Sequence, residues 1–286
     1  MSRAFLSLGR SVIRFVIVVG LCWATLLALA MLWEEAFIFF PSPYPEGDWT
    51  LPPGTENAEF TAADGTRLHG WFREVADAVG VVLYCHGNAG NVTHRAAILQ
   101  CFAEITGASI LVFDYRGYGK SEGRPTEAGI LADTRAARAW LARRTGVAER
   151  DVVLAGQSLG GAVAAVVAGQ DGAKALILEN TFTSIRDMAA YHYPLLPVGP
   201  FLRTKLDALA HLHQYAGPVL IAHAEWDSIV PFQHGQRLFD AARGPKEFFV
   251  VPEADHNDPM PLGYYRKVRE FLIETAKLGD RGEKAE

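Results

Sequence analysis

Cysteine is scarce in this chain, with Cys22, Cys85 and Cys101 the only three in 286 residues. No two form a C-x-x-C pair, which argues against a zinc ribbon or a dithiol redox motif, and three irregularly placed thiols make no disulfide framework. Cys22 lies in an apolar run. Cys85 and Cys101 fall in segments read below as a buried strand and a helix, where a free thiol behaves as a small hydrophobe. A bridge between them requires a geometry that sequence does not supply. Excess positive charge is also lacking: 27 Lys and Arg stand against 32 Asp and Glu, a net charge of -5. Without a broad basic field, a nucleic-acid backbone is a poor partner. There is no internal repeat, and no low-complexity stretch beyond the charged tail 279–286.

What the chain does have is apolar sequence, 50% of its residues, enough for one globular core plus a membrane element. No charge interrupts the run from Phe15 to Trp33, which as a helix spans about 30 Å, roughly the hydrocarbon thickness of a bilayer. Residues 1–36 are therefore expected to be an N-terminal membrane anchor. Arg3, Arg10 and Arg14 precede the run and Glu34 and Glu35 follow it, so the positive-inside rule puts the N-terminus in the cytoplasm and the rest on the non-cytoplasmic, periplasmic or extracellular side. A cleaved signal peptide is the rival, because Ala28-Leu29-Ala30 resembles a small-residue cleavage site. Either reading exports the domain.

Pro41, Pro43, Pro45 and Gly47, then Pro52-Pro53-Gly54, read as a linker over 37–57. The folded domain is expected over 58–278. It opens with a hairpin, Glu59–Thr61 and Leu68–Arg73 joined across Asp64-Gly65. Apolar runs then follow at 80–85, 109–114, 152–157, 175–179, 218–223 and 247–251, without strict alternation, as in strands covered on both faces. Helical spacing occupies 92–105, 126–144, 159–170, 233–242 and 261–277. The alternation predicts an α/β fold with a mostly parallel central sheet, an N-terminal hairpin and helices on both faces.

Gly156-Gln157-Ser158-Leu159-Gly160-Gly161 lies where a strand ends and an Ala-rich helix begins. Flanking glycines permit a sharp turn that leaves the Ser158 hydroxyl exposed as a candidate nucleophile. A serine hydroxyl needs a base, and the base needs an orienting carboxylate. Asp227 follows the strand ending at His223, and His256 follows the strand ending at Val251. Parallel strands bring such ends to one sheet edge. Glu225 and Asp258 are rival carboxylates. An oxyanion site needs two backbone donors: Leu159 N–H is one, and Asn88 N–H, with Gly87 as its alternative, is the other, from the loop His86-Gly87-Asn88-Ala89-Gly90-Asn91. His86 is expected to shape that loop. No metal or cofactor is called for.

Together with Phe113-Asp114-Tyr115-Arg116-Gly117-Tyr118-Gly119-Lys120-Ser121, these motifs resemble the α/β-hydrolase superfamily from about Ala58 to Leu278. The likeness is strongest to its single-span membrane-anchored branch, which includes acyl-protein thioesterases and lipid hydrolases and borders on serine aminopeptidase-like hydrolases. It implies the same catalytic set, Ser158, Asp227 and His256. In this fold the insertion 181–216, with Tyr191, Tyr193, Leu195, Leu196, Pro197 and Phe201, commonly supplies a cap, although two ordinary covering helices would give the same pattern. Arg203 and Lys205 suit lipid headgroups or a solvated face. The expected activity is hydrolysis of a carboxylic ester or thioester on a small or lipid-like acyl substrate near the membrane. A serine aminopeptidase-like peptidase and a non-catalytic membrane-tethered binding protein are the alternatives.

Overall fold

Side chains alternate across the central strands, and that alternation sets the layers. Val82 and Tyr84 enter one apolar cluster while Val81, Leu83 and Cys85 enter the other. The computed structural model of the protein describes residues 3–196 and 198–279, without the side chains of residues 3–10 and Ala30. The side chains of Arg3, Arg10 and Ala30, together with Pro197 and the tail 280–286, thus lie outside the described residues.

The strands are β1 (Phe40–Pro41), β2 (Thr55–Thr61), β3 (Arg67–Arg73), β4 (Val81–Cys85), β5 (Ala89–Gly90), β6 (Ser109–Asp114), β7 (Val153–Gln157), β8 (Leu176–Glu179), β9 (Val219–Ala224) and β10 (Lys246–Val251). Eight of them form one sheet in the order β2-β3-β6-β4-β7-β8-β9-β10. The hairpin strand β3 runs antiparallel to both neighbours, and the rest are parallel. Asp64-Gly65 makes the hairpin turn, with Gly65 at φ 89° and Asp64 Oδ1 accepting from Thr66 N–H at 3.1 Å. This is the α/β architecture, with a mostly parallel sheet and an N-terminal hairpin, that the alternation of elements predicts.

The helices are α1 (Arg3–Leu32), α2 (Glu34–Ile38), α3 (Ala96–Cys101), α4 (Glu127–Thr145), α5 (Leu159–Asp171), α6 (Ile185–His192), α7 (Ala208–Leu212), α8 (Phe232–Ala241) and α9 (Leu262–Glu270). Apolar residues of α4, α5, α7 and α8 pack on one face of the sheet, and those of α3 and α9 on the other. Two expected helices are less regular than their spacing implies. The first runs as a 3-10 turn, α3 and a π turn over Phe102–Thr106, and the last ends in a π turn over Phe271–Thr275. Both π turns send a phenylalanine, Phe102 or Phe271, fully into the core. Cys85 and Cys101 are free thiols, and Cys85 is buried.

Ser11–Leu29 of α1 is long and apolar enough to cross a membrane, and no part of it is buried inside the protein. A core helix of a soluble domain would be covered. A signal sequence meets the same test by length and composition. Beyond α1 the chain does not run free: β1 pairs in parallel with β5, Phe39 is buried, and the backbones of Ser42 and Tyr44 bond to Gly119.

Candidate active site

Ser158 joins β7 to α5 with φ 52° and ψ -117°, a left-handed conformation that costs a non-glycine residue about 1–3 kcal/mol. Its neighbours hold it there. Ser158 N–H donates to Glu179 O at 2.8 Å, and its carbonyl accepts from Gly161 and Ala162 amides at 3.1 and 3.2 Å. Thr181 Oγ1 donates to the same carbonyl. The flanking glycines are required by close approach: a Cβ on Gly160 would lie 1.9 Å from Cys85 O, and one on Gly156 would lie 2.4 Å from Gly160 O. The turn therefore presses α5 onto β4 and leaves Ser158 half-buried at the sheet's C-terminal edge.

The loops after β9 and β10 meet at that edge. His256 Nδ1 lies 2.7 Å from Asp227 Oδ2, with both residues buried. An ionised carboxylate can only accept, so Nδ1 carries a proton, and in the neutral imidazole Nε2 keeps the lone pair that a base needs. The other oxygen, Asp227 Oδ1, accepts from the amides of Ile229 and Val230 at 3.0 and 2.6 Å. Burial pushes the Asp227 carboxyl up, but hydrogen bonds from His223, His256 and the Val230 amide outweigh it and bring the pKa down to about 2. The rival carboxylates are engaged elsewhere: Glu225 Oε2 accepts from Glu253 N–H at 3.3 Å, and Asp258 Oδ2 from Asp255 N–H at 2.8 Å.

The loop from His86 to Asn91 follows β4, beside the elbow. Leu159 is the first residue of α5, and its amide is one of the four at a helix start with no acceptor inside the helix. Asn88 is held through its side chain. Its Oδ1 accepts from Phe40 N–H at 3.1 Å and Tyr118 OH at 3.0 Å, and its Nδ2 donates to Ile38 O at 2.5 Å. Asn91 Nδ2 donates to the carbonyls of Ser42 and Glu46 at 3.0 and 2.8 Å. His86 is fully buried, with Nδ1 2.7 Å from Gly87 O, and burial pushes its pKa down to about 3. A histidine kept neutral and bonded to its own loop shapes that loop.

Four residues that sequence reasoning passed over complete the arrangement. His223 Nε2 donates to Val230 O at 2.9 Å and lies 3.4 Å from Asp227 Oδ2, so Asp227 faces two imidazoles. Asn180 Nδ2 donates to His256 O at 3.0 Å while its Oδ1 accepts from Ala224 N–H at 2.8 Å; it links the end of β8, where Ser158 is held, to the end of β9 and to the His256 loop. Asp255 Oδ1 accepts from the amides of Ser228 and His256 at 2.7 Å each, tying the Asp227 loop to the His256 loop. Glu34 binds residues 203 and 204 of the insertion, as detailed below. Of these, only His223 had a local signal, as a histidine closing a strand four residues before the acid.

The comparisons with known proteins agree with this architecture. The alpha/beta hydrolase fold family matches residues 80–199. An uncharacterized protein of Mycobacterium tuberculosis is 39% identical over 260 residues, covering 88% of this chain and 92% of that protein. The alpha/beta hydrolase domain-containing protein WAV2 of Arabidopsis thaliana is 34% identical, covering 87% and 91%. The chain belongs to the α/β-hydrolase superfamily. Among solved structures, the Pyrococcus furiosus esterase Pf2001 superposes with a TM-score of 0.68 at 19% identity, over 83% of this chain and 97% of its own. At that identity the likeness shows the fold. This α/β hydrolase thus shares its architecture with an esterase and shares more than a third of the matched sequence with the mycobacterial protein.

Proposed function

We propose that this chain is a serine hydrolase that cleaves a carboxylic ester or thioester through an acyl-enzyme. Ser158 Oγ attacks the acyl carbonyl while His256 Nε2 takes its proton, and Asp227 holds the imidazole and stabilises its charged form. The amides of Asn88 and Leu159 receive the oxyanion. Collapse breaks the bond to the alcohol or thiol, which leaves with the proton from His256. Water then gives a proton to His256 as it attacks the acyl-enzyme, and the second collapse returns the proton to Ser158 and releases the carboxylic acid. This route needs no metal or organic cofactor.

The observation that carries the reading is the 2.7 Å contact between His256 Nδ1 and Asp227 Oδ2, which leaves the basic Nε2 at the sheet edge where Ser158 is held in its strained turn. The esterase named among the structural neighbours supports the choice of bond. The apolar α1 and the aromatic insertion 181–216 favour an acyl-bearing amphiphile at the membrane. The flanking charges favour a retained anchor with the hydrolase domain on the non-cytoplasmic side.

Purified full-length protein should react with a fluorophosphonate probe and hydrolyse p-nitrophenyl butyrate, and Ser158→Ala should do neither. Esterase activity retained by Ser158→Ala would sink the assignment. Faster turnover of aminoacyl anilides than of acyl esters would redirect it to a peptidase.

A further inference from the structure

The joint between α1 and the hydrolase domain is bonded rather than loose. Glu34, only 2% exposed, accepts from the amides of Arg203 and Thr204 at 3.1 and 2.6 Å. Arg203 Nη2 donates to Met31 O, in the last turn of α1, at 3.2 Å. The insertion 181–216 is therefore attached at the level where the apolar span ends. From Glu34 the chain passes through α2, about 7 Å at 1.5 Å per residue, and about 7 Å of extended chain to Phe40, whose amide meets Asn88. The loop that carries Asn88 thus lies within about 20 Å of Glu34.

Several large apolar side chains exposed after α1 belong to this joint or to the insertion. They include Trp33 and Phe37 at the joint and Tyr191, Tyr193, Leu195 and Phe201 on the insertion, with Leu195 86% exposed. His192 Nε2 lies 2.9 Å from Ile229 O, two residues past Asp227, so the apolar rim runs from the foot of the span to the acid loop. A patch of this extent marks an interaction surface. Trp and Tyr rings suit the headgroup layer of a bilayer, where one end is apolar and the other wet. Arg203 and Lys205, exposed beside them, suit lipid phosphates.

We propose that the rim of Trp33, Phe37, Tyr191, Tyr193, Leu195 and Phe201 seats in the interfacial layer of the bilayer that α1 enters, so that Ser158 draws an acyl-ester amphiphile from the membrane rather than from bulk water. The occupant is a lipid surface because the rim is continuous with α1, whose large apolar side chains from Val12 to Leu32, Leu27 apart, are exposed. The bonded joint leaves the domain little freedom to carry the rim away from that surface. The catalytic half of this inference rests on the serine-hydrolase reading; the docking half does not.

The test uses full-length protein in phosphatidylcholine nanodiscs with two substrates, water-soluble p-nitrophenyl acetate and bilayer-embedded 4-methylumbelliferyl oleate. Leu195→Asp combined with Phe201→Asp should lower kcat/KM about tenfold or more on the embedded ester and stay within about twofold on the soluble one, since only the first depends on seating in the interface. Ile273→Asp, near the start of β4 at the opposite edge, should change neither. Equal losses on both substrates, or none on either, overturn the inference. A bimane probe on Leu195→Cys, in a Cys22→Ser, Cys101→Ser background, should be quenched by brominated phosphatidylcholine, and one on Ile273→Cys should not. No quenching at position 195 overturns the docking directly. If the unaltered protein turns over neither ester, the hydrolase reading fails while the quenching result still decides the docking.

Discussion

The two sides of Ser158 are held by different means. On the acid-base side, Asp227 and His256 are buried and sit in loops that leave neighbouring strands β9 and β10, so adjacent elements position them. On the oxyanion side, Asn88 is half-buried and bonded through its side chain to residues 38 and 40, 50 and 48 positions earlier in the chain. One side is built from the sheet; the other borrows its support from the segment that leads out of α1. On the proposed mechanism the acid-base side should therefore carry most of the chemistry and tolerate little change, whereas the oxyanion side should couple catalysis to the segment after α1.

The largest effect to test that contrast is on the acid. Asp227→Asn should lower kcat/KM for p-nitrophenyl butyrate about 10⁴-fold by leaving His256 in the wrong tautomer, with the far-ultraviolet circular dichroism spectrum unchanged. A loss below tenfold would remove Asp227 from its role. Next comes the elbow. Gly160→Ala introduces a Cβ 1.9 Å from Cys85 O, backbone that cannot yield cheaply, and should cost about 3 kcal/mol of stability, read as a lowered denaturant midpoint. Wild-type stability would mean that α5 does not press so closely on β4.

On the oxyanion side the effect should be smaller and different in kind. Asn88→Ala removes the clamp but keeps the amide, so kcat should fall about tenfold with KM nearly unchanged, because a donor slightly displaced stabilises the transition state less than it binds the ground state. Tyr118→Phe, which removes one of the three bonds to Asn88, should fall between that variant and the wild type. If KM rises instead, the segment 38–40 shapes binding rather than the oxyanion site.

The smallest effect expected is on acid stability. The Asp227 carboxyl is depressed from 3.8 to about 2 in the folded protein, so between those values the unfolded chain binds more protons and stability rises with pH. The contribution is complete above about pH 4 and fades as pH falls through 2. Asp227→Asn should flatten that part of the stability profile, measured by denaturation at pH 2, 3 and 4. A parallel profile would show that the pair with His256 adds little to the folded state.

Most of the fold was legible because its signals are local. Apolar runs, helical spacing and Asp64-Gly65 each need fewer than about 20 residues to read, and all the expected sheet strands are present. The two π turns were not legible, since the residues bury an extra side chain only against the packed sheet. Pro41, Pro43 and Pro45 read as linker chemistry, yet the backbone between them is bonded to Gly119 and to the loop after β4. In the site, Gly156 to Gly161 announced a turn by spacing alone. Asp227, Glu225 and Asp258 all lie near the right strand ends in sequence, and the hydrogen bond between His256 Nδ1 and Asp227 Oδ2 singles out Asp227. Asn88 was singled out for its amide, while the work of its side chain was hidden.

The sequence by itself determined the order of strands and helices, the sharp turn at Ser158 and the residues available to serve it, because backbone conformation and apolar periodicity are written over short stretches. Only the tertiary structure decided which carboxylate meets His256, that Asn180 joins the end of β8 to the loop 76 residues further on, and that Glu34 binds the insertion 170 residues away. Such partners are chosen when distant segments close onto one another, and a polar side chain carries no mark in sequence of which distant backbone group will satisfy it once both are buried.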